Sequence, residues 1–400
     1  MKNKFNRRGF LKSTIIGTSG TIIGASSVIA SEKSAALDNK KIITRKLGNT
    51  GIELPIVSMG SVRSGNPNLV KVAIEAGIMH FDTAYRYQRG QNEIILGEIL
   101  KEYPRNSFII STKIRPDDYD RKTGIIGPGA TKEELLKKIE TSLNRLQMEY
   151  VDILYFHGAS SKKTAENELM IDVFTTIKKQ GKAKHIGLST HSNEPEVIQA
   201  AIDNSIYEVV LTAINFKQDH VGEIKKKIDQ ASKKGIGIIG MKTMAGGYRD
   251  KERTQPINCK AALKWVLQDP NVHTTIPGMS SIDEISENMS VMENLNLTEE
   301  EEKHLDEIKL SADLYCNGCK ECLAGCKKNL PVNDIMRVFM YTYGYNQIEK
   351  AHSLLADYNI PENPCENCTD CPVICRKGFN VHEKISDITR LKSIPKDFII

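Results

Sequence analysis

Between residues 55 and 294, short apolar runs alternate eight times with stretches of helical period, and few architectures accept that pattern. The runs are PIVSMG (55–60), MHFDT (79–83), FIISTK (108–113), VDILYFH (151–157), KHIGLS (184–189), EVVLTAIN (208–215), GIGIIGMK (235–242) and HTTIPG (273–278). Rich in Ile and Val without strict alternation, they read as strands buried on both faces, as in a parallel sheet covered by helices. Helices are expected at 67–76, 91–102, 131–146, 166–180, 194–203, 220–234, 257–268 and 282–294. Thr131 with Glu134, Ser281 with Glu284 and Thr298 with Glu301 have the spacing of capping boxes. Eight units in a span close to the ~250 residues usual for a (β/α)8 barrel favour that closed α/β fold over an open doubly wound sheet. Gly235, Gly237 and Gly240 spell G-x-G-x-x-G. They follow a lysine-rich helix and lie within an apolar run, whereas a phosphate loop joins a strand to a helix N-terminus. They are expected to be strand residues beside crowded helices.

The chain holds 40% hydrophobic and 26% charged residues, a globular balance. Its net charge of +5 comes from Lys2, Lys4, Arg7, Arg8 and Lys12, so the remainder is neutral and a nucleic-acid partner is not expected. Three of them, Arg7, Arg8 and Lys12, lie in NRRGFLK (6–12), followed by the weakly apolar STIIGTSGTIIGASSVIA and ending at Ala30. The segment resembles a twin-arginine export signal, which implies the twin-arginine translocation machinery as a partner and a periplasmic or cell-surface location. An uncleaved membrane anchor is the alternative. The expected partition is a signal at 1–30, a linker at 31–40, a barrel at 41–310 and a cysteine-rich domain at 311–390.

Barrel enzymes gather their chemistry at the carboxyl ends of the strands. There this chain carries Asp82 and Tyr87, Lys113 and His157. Carbonyl reduction requires a proton at oxygen as hydride reaches carbon, and a free phenol, with a pKa near ~10, gives it poorly at neutral pH. An ammonium beside the phenol lowers that pKa, a carboxylate can hold the ammonium charged, and a histidine can orient the carbonyl. HFDTAYRYQRGQNEIILGEIL, ISTK, VDILYFH, GKAKHIGLS and TTIPGMSSIDEISEN, in this order over residues 41–295, resemble blocks of the aldo-keto reductase family. The resemblance implies a barrel that binds an extended nicotinamide, NAD or NADP, and acts on a carbonyl or alcohol. It implies Asp82, Tyr87, Lys113 and His157 as the catalytic set, with Tyr85 a competing phenol at the wrong spacing.

For the cofactor the resemblance implies Ser189 and Asn215 at the nicotinamide carboxamide, and Met241, followed by Lys242, where many members have an aromatic ring. Pro277, Gly278, Met279, Glu287 and Asn288 would line the remainder. Gly278 and Glu284 stand where NADP-preferring members carry cations, and a glutamate repels a 2′-phosphate, which tilts the choice towards NAD.

Eight of the nine cysteines form two C-x2-C-x2-C-x3-C runs, Cys316, Cys319, Cys322, Cys326 and Cys365, Cys368, Cys371, Cys375. The spacing resembles bacterial ferredoxins with two [4Fe–4S] clusters, in which the fourth cysteine of each run ligates the other cluster. Zinc and disulfides are the alternatives. Helical period around Ile335–Tyr341 and Ile348–Tyr358 makes this region resemble a mostly α-helical ferredoxin domain. The whole resembles aldo-keto reductases carrying such a domain, which implies an exported oxidoreductase with a redox partner protein. The competing reading is an iron–sulfur electron-transfer or assembly protein with a silent barrel. Cys259 is expected to be a buried small hydrophobe.

Overall fold

The computed structural model describes residues 42–399 except Ser64, Lys122, Ala312, Asp357, Asn359, Lys396 and Asp397. The paired arginines, the apolar stretch after them and the linker lie outside the described residues. An antiparallel hairpin, β1 (Thr44–Lys46) and β2 (Glu53–Pro55), comes first. Then follow β3 (Met59–Gly60), β4 (His80–Asp82), β5 (Ile109–Ile114), a small hairpin of β6 (Tyr119–Asp120) and β7 (Ile125–Ile126), β8 (Val151–Ala159), β9 (Ala183–Thr190), β10 (Val209–Ala213), β11 (Gly237–Met241) and β12 (Thr274–Thr275). Eight of them form one parallel sheet in the order β12-β11-β10-β9-β8-β5-β4-β3. Its ends are joined: Ser58 N–H donates to Thr275 O (2.8 Å), Thr275 N–H to Ile56 O (3.0 Å) and Gly60 N–H to Pro277 O (3.0 Å). The fold is therefore the expected (β/α)8 barrel.

The covering helices are α1 (Pro67–Glu75), α2 (Gln91–Leu100), α3 (Lys132–Leu146), a short α4 (Lys162–Ala165), α5 (Glu168–Lys179), α6 (Glu194–Asp203), α7 (Val221–Lys233), α8 (Cys259–Leu267), α9 (Ile282–Met289) and α10 (Glu299–Leu310). Thr298 and Glu301 make the reciprocal box. Thr131 and Ser281 cap their helices, but the partner carboxylates turn elsewhere, Glu134 to Asp117 N–H (2.8 Å) and Glu284 to Ser280 N–H (2.6 Å). Cys259 begins α8 half-buried.

Apolar side chains from alternating strand positions fill the barrel, among them Ile153, Tyr155, Leu211, Ile239 and Met241. The β1–β2 hairpin stoppers its amino-terminal end with Leu47 and Leu54, both fully buried. This corrects the reading of the three glycines. A Cβ on Gly237 would lie 2.6 Å from Leu47 Cγ, and Gly235, at φ +80°, precedes the strand. At Gly235 and Gly237 the crowding comes from the hairpin, and at Gly240 from Ile214, Thr275 and Val272, not from helices.

Beyond α10 come α11 (Val332–Phe339), running into a π-turn at Met340–Gly344, and α12 (Ile348–Ala356), both close to the expected spans, and α13 (Val381–Ile388), which was not expected. They share one apolar core with the barrel: Phe216, Ile257, Ala262 and Ile308 pack with Ile335, Phe339, Leu355 and Ile385. A buried ion pair joins Lys217 to Asp313, and Lys217 Nζ also donates to Ile308 O (2.8 Å). Among the described residues no helix is long and apolar enough to cross a membrane.

Gly48 and Gly51 both have positive φ (+51° and +77°), but only Gly48 is crowded: its Cβ would lie 2.3 Å from Gly235 O, whereas nothing lies within 4 Å of Gly51. Gly51→Ala is expected to cost about 1 kcal/mol, the left-handed penalty, and Gly48→Ala about 2–5 kcal/mol because the hairpin must back away from the barrel. Urea unfolding of both variants measures the difference; equal losses would rule out the contact as its cause.

Candidate active site

β4 ends at Asp82, β5 carries Lys113, β8 carries His157, and Tyr87 opens the turn that follows β4, so topology alone delivers four distant residues to one mouth. Asp82 and Lys113 form an ion pair with each side chain 2% exposed. Such burial is tolerated only when the remaining valences are met. They are met: Lys113 Nζ donates to Thr83 O (2.6 Å), and Ser111 Oγ donates to Asp82 Oδ1 (2.7 Å). Because the Ser111 proton goes to the carboxylate, His80 must donate through Nε2 to Ser111 Oγ (2.9 Å), which fixes its tautomer. Burial, opposed by Asp82, pushes the His80 imidazole down to about 4. Neither Ser111 nor His80 was expected at the site, although both flank its motifs in sequence.

Tyr87 lies edge-on to His157, ring centroids 5.7 Å apart at 82°, and Lys113 Nζ is 5.0 Å from the Tyr87 ring centre. Burial pulls the Lys113 ammonium down, but Asp82 and Tyr87 outweigh it and its pKa lies above the ordinary lysine value. For the phenol the balance runs opposite to expectation. Burial raises Tyr87 more than Lys113 lowers it, so the net shift is upward and the resting group is a protonated acid. Burial, then Arg115, Lys113, Arg121 and Lys350, holds His157 well below the usual imidazole range, hence neutral. Tyr85 packs instead on the Arg145 guanidinium, 4.7 Å from its ring centre.

Ser189 Oγ donates to Phe156 O (3.1 Å) and accepts from Gly158 N–H (2.9 Å). Asn215 Oδ1 accepts from Lys217 N–H (3.0 Å), and its amide donates to Lys242 O (3.2 Å) and to the Tyr315 hydroxyl (3.1 Å). Met241 is buried at the end of β11; Lys242, at φ +58°, lays its ammonium over Tyr345 (4.0 Å) and Tyr341 (5.1 Å). Ser189, Asn215, Met241 and Lys242 thus stand on neighbouring strand ends. Pro277 and Gly278 are committed to closing the barrel against Gly60, and the Met279 side chain packs in the outer core. Asn288 is buried on α9, and burial, then Glu284, raises the Glu287 carboxyl. Tyr315, unexpected from sequence, comes from beyond the barrel and precedes Cys316.

The eight paired-run cysteines segregate around two small apolar cavities. Cys316, Cys319 and Cys322 line one together with Cys375; Cys365, Cys368 and Cys371 line the other together with Cys326. Each run therefore sends its fourth thiol to the other run's cavity. Burial pushes the Cys316 thiol up to about 12 and Cys322 to about 11. Among the described residues no group of three or more His, Cys, Asp or Glu is arranged to hold a single metal ion.

The fold and this mouth define an α/β-barrel oxidoreductase acting on carbonyl groups. The chain belongs to the aldo/keto reductase family, whose sequence profile matches residues 62–261 and 259–310. It is 26% identical over 329 residues to L-glyceraldehyde 3-phosphate reductase of Escherichia coli O157:H7, covering 66% of this chain and 91% of that protein. L-galactose dehydrogenase of Arabidopsis thaliana is 24% identical over 312 residues, covering 67% and 94%. An aldo-keto reductase from Bacillus halodurans in its holo form superposes with a TM-score of 0.55 at 22% identity, over 67% of this chain and 96% of that one. None of these matches extends over the whole chain.

His80 takes up its proton only on unfolding, so between about pH 6.5 and about 4 the unfolded state holds one proton more and stability falls as pH falls. The loss over that window is about 3 kcal/mol for a fully buried ring. A His80→Asn variant is expected to flatten the profile of denaturant-derived stability between those pH values; an unchanged slope would exonerate His80.

Proposed function

We propose that the protein is an exported, nicotinamide-dependent aldo-keto reductase that interconverts a carbonyl and an alcohol and carries two [4Fe–4S] clusters for electron transfer. The observation that carries the reading is the convergence of Asp82, Lys113, Tyr87 and His157 at one mouth. When bound, nicotinamide supplies hydride to the carbonyl carbon. Tyr87 gives its proton to the carbonyl oxygen as negative charge develops there. Lys113, held charged by Asp82, stabilises the phenolate left behind, and neutral His157 donates to the same oxygen and orients it. Ser189 Oγ and Asn215 Oδ1 each retain a lone pair with which to meet a carboxamide, so the residues fit the cofactor. Glu284 favours NAD over NADP by repelling a 2′-phosphate.

The two groups of four thiols fit two clusters, one thiolate to each iron, and a cube of four irons needs its ligands spread more widely than a single ion does. Cys316, Cys319, Cys322 and Cys375 would hold one, and Cys365, Cys368, Cys371 and Cys326 the other, passing single electrons to or from a partner protein. Arg7 and Arg8 would direct export through the twin-arginine machinery to the periplasm or cell surface, after the clusters are inserted.

Tyr87→Phe is expected to lower carbonyl reduction by at least ~10²-fold while the visible cluster absorbance is unchanged. Retained turnover would remove Tyr87 as the acid. Cys375→Ser is expected to perturb the same cluster, by electron paramagnetic resonance of the reduced protein, as Cys319→Ser. Perturbation of the cluster that Cys368→Ser affects would refute the crossed ligation.

A second reading has one observation in its favour. The Asn215 amide already donates to Tyr315, and Lys242 already rests on Tyr341 and Tyr345, as a barrel retired from catalysis would permit. It predicts no heat of nicotinamide binding in calorimetry of cluster-loaded protein, where the first reading predicts a measurable complex.

A further inference from the structure

The β5–α3 segment, RPDDYDRKTGIIGPGA, has no readable chemistry as sequence, yet it forms one wall of the mouth. Tyr119 latches it there, its hydroxyl donating to Gly158 O (3.0 Å), one residue beyond His157, and its ring edge-on to Phe156 at 5.1 Å. Arg115 lies over the Tyr119 ring at 5.8 Å. The opposite wall comes from beyond the barrel. Arg337 on α11 donates to His191 O (2.9 Å) at the end of β9, and Lys350 on α12 sits over Tyr341 at 4.0 Å, sharing that ring with Lys242.

Four carboxylates of the region have partners of their own. Asp82 holds Lys113, Glu194 holds His220 (2.9 Å), Asp117 holds Arg86 and Lys138, and Glu349 faces Arg89 (3.5 Å). Among the described residues no ion pair joins Arg337 or Lys350 to a carboxylate. His191 Nδ1 and Tyr345 Oη are buried with no hydrogen-bond partner among them. The electrostatics locate the cluster: after burial, the groups that pull Lys350 down are Arg121, Arg337, Arg115 and Lys113, and those that pull His191 down are Lys350, Lys242, His157 and Arg337. Burial also lowers Arg337, but Tyr341 and Glu194 outweigh it and its net shift is upward. Like charges gathered out of bulk water destabilise one another, and an anion placed among them removes that penalty.

We infer that this enclosed cationic mouth, built by Arg115 and Arg121 from the barrel and Arg337 and Lys350 from the cysteine-bearing half, binds the anionic group of the substrate. The substrate is thus a carbonyl compound bearing a carboxylate or a phosphate ester. This deepens the proposed carbonyl reduction and rests on it. Arg115, Arg121 and Lys350 act on His157, the partner proposed for the reacting oxygen, and so stand on the substrate's side of the mouth. Two of them come from beyond residue 310, which makes the substrate site incomplete in the barrel alone.

The test uses full-length, cluster-loaded protein and its Lys350→Met and Arg121→Gln variants. Matched pairs are compared: para-formylbenzoate against its methyl ester, and glycolaldehyde phosphate against glycolaldehyde. The wild type is expected to favour one charged member by about 10- to 100-fold in kcat/KM, the worth of one or two charge-assisted contacts, and each variant to reduce that ratio. The preferred pair tells carboxylate from phosphate. Equal turnover within both pairs, or ratios untouched in both variants, would overturn the inference. Calorimetry with benzoate and inorganic phosphate, benzamide being the neutral control, reads the site without turnover. Anion binding weakened in the variants, in a protein that reduces nothing, would sink the carbonyl reading and leave the anion site standing. Turnover of neutral carbonyls with no anion binding would do the reverse. An anion that competes with the nicotinamide and not with the carbonyl would assign the cations to cofactor phosphates and refute a substrate role.

Discussion

A parallel sheet of eight strands has two raw edges, and here both vanish where residues 56–60 bond to residues 275–277. Everything at the mouth follows from that closure. Once the ring is shut, the ends of β4, β5, β8, β9, β10 and β11 face one another across a side-chain-filled core, and residues far apart in sequence become neighbours. Closure also requires a stopper at the opposite end, which Leu47 and Leu54 provide at the expense of side chains on Gly48 and Gly237.

Within the mouth, the Asp82–Lys113 pair imposes its own requirements. Two charges out of water need every remaining hydrogen bond satisfied, and the chain Lys113–Asp82–Ser111–His80 supplies them by fixing one hydroxyl proton and one imidazole tautomer. The same burial that strengthens the pair keeps Tyr87 protonated at rest. The protonated phenol has an ammonium 5.0 Å from its ring centre, the arrangement on which the proposed proton transfer rests.

How much of this could be read in the sequence depended on whether a feature is local. Strands buried on both faces and helices with caps carry their period with them, so all eight units were legible, and Asp82, Lys113 and His157 could be expected at one mouth because they lie at or near strand ends. The β1–β2 hairpin was not legible: its strands are three residues long, and its role as a stopper exists only after closure. The crowding of Gly237 was assigned to helices for the same reason. The phenol's pKa was misjudged because charge proximity can be guessed from spacing, whereas burial is a property of the finished fold. Arg115 and Arg121, Arg337, and Lys350 lie on three separate segments with no common period, and only tertiary structure gives them a common address.

The boundary near residue 310 looks in the sequence like the end of one module and the start of another. In three dimensions it is crossed by a buried ion pair from Lys217 to Asp313, by the bond from Asn215 to Tyr315, and by a shared apolar core. A chain cut there would leave Lys217 as a bare ammonium in the barrel wall and open Ile308 and Ala262 to water. The two halves therefore share one interface, and removing either would leave polar and apolar groups on both sides of the seam without their partners.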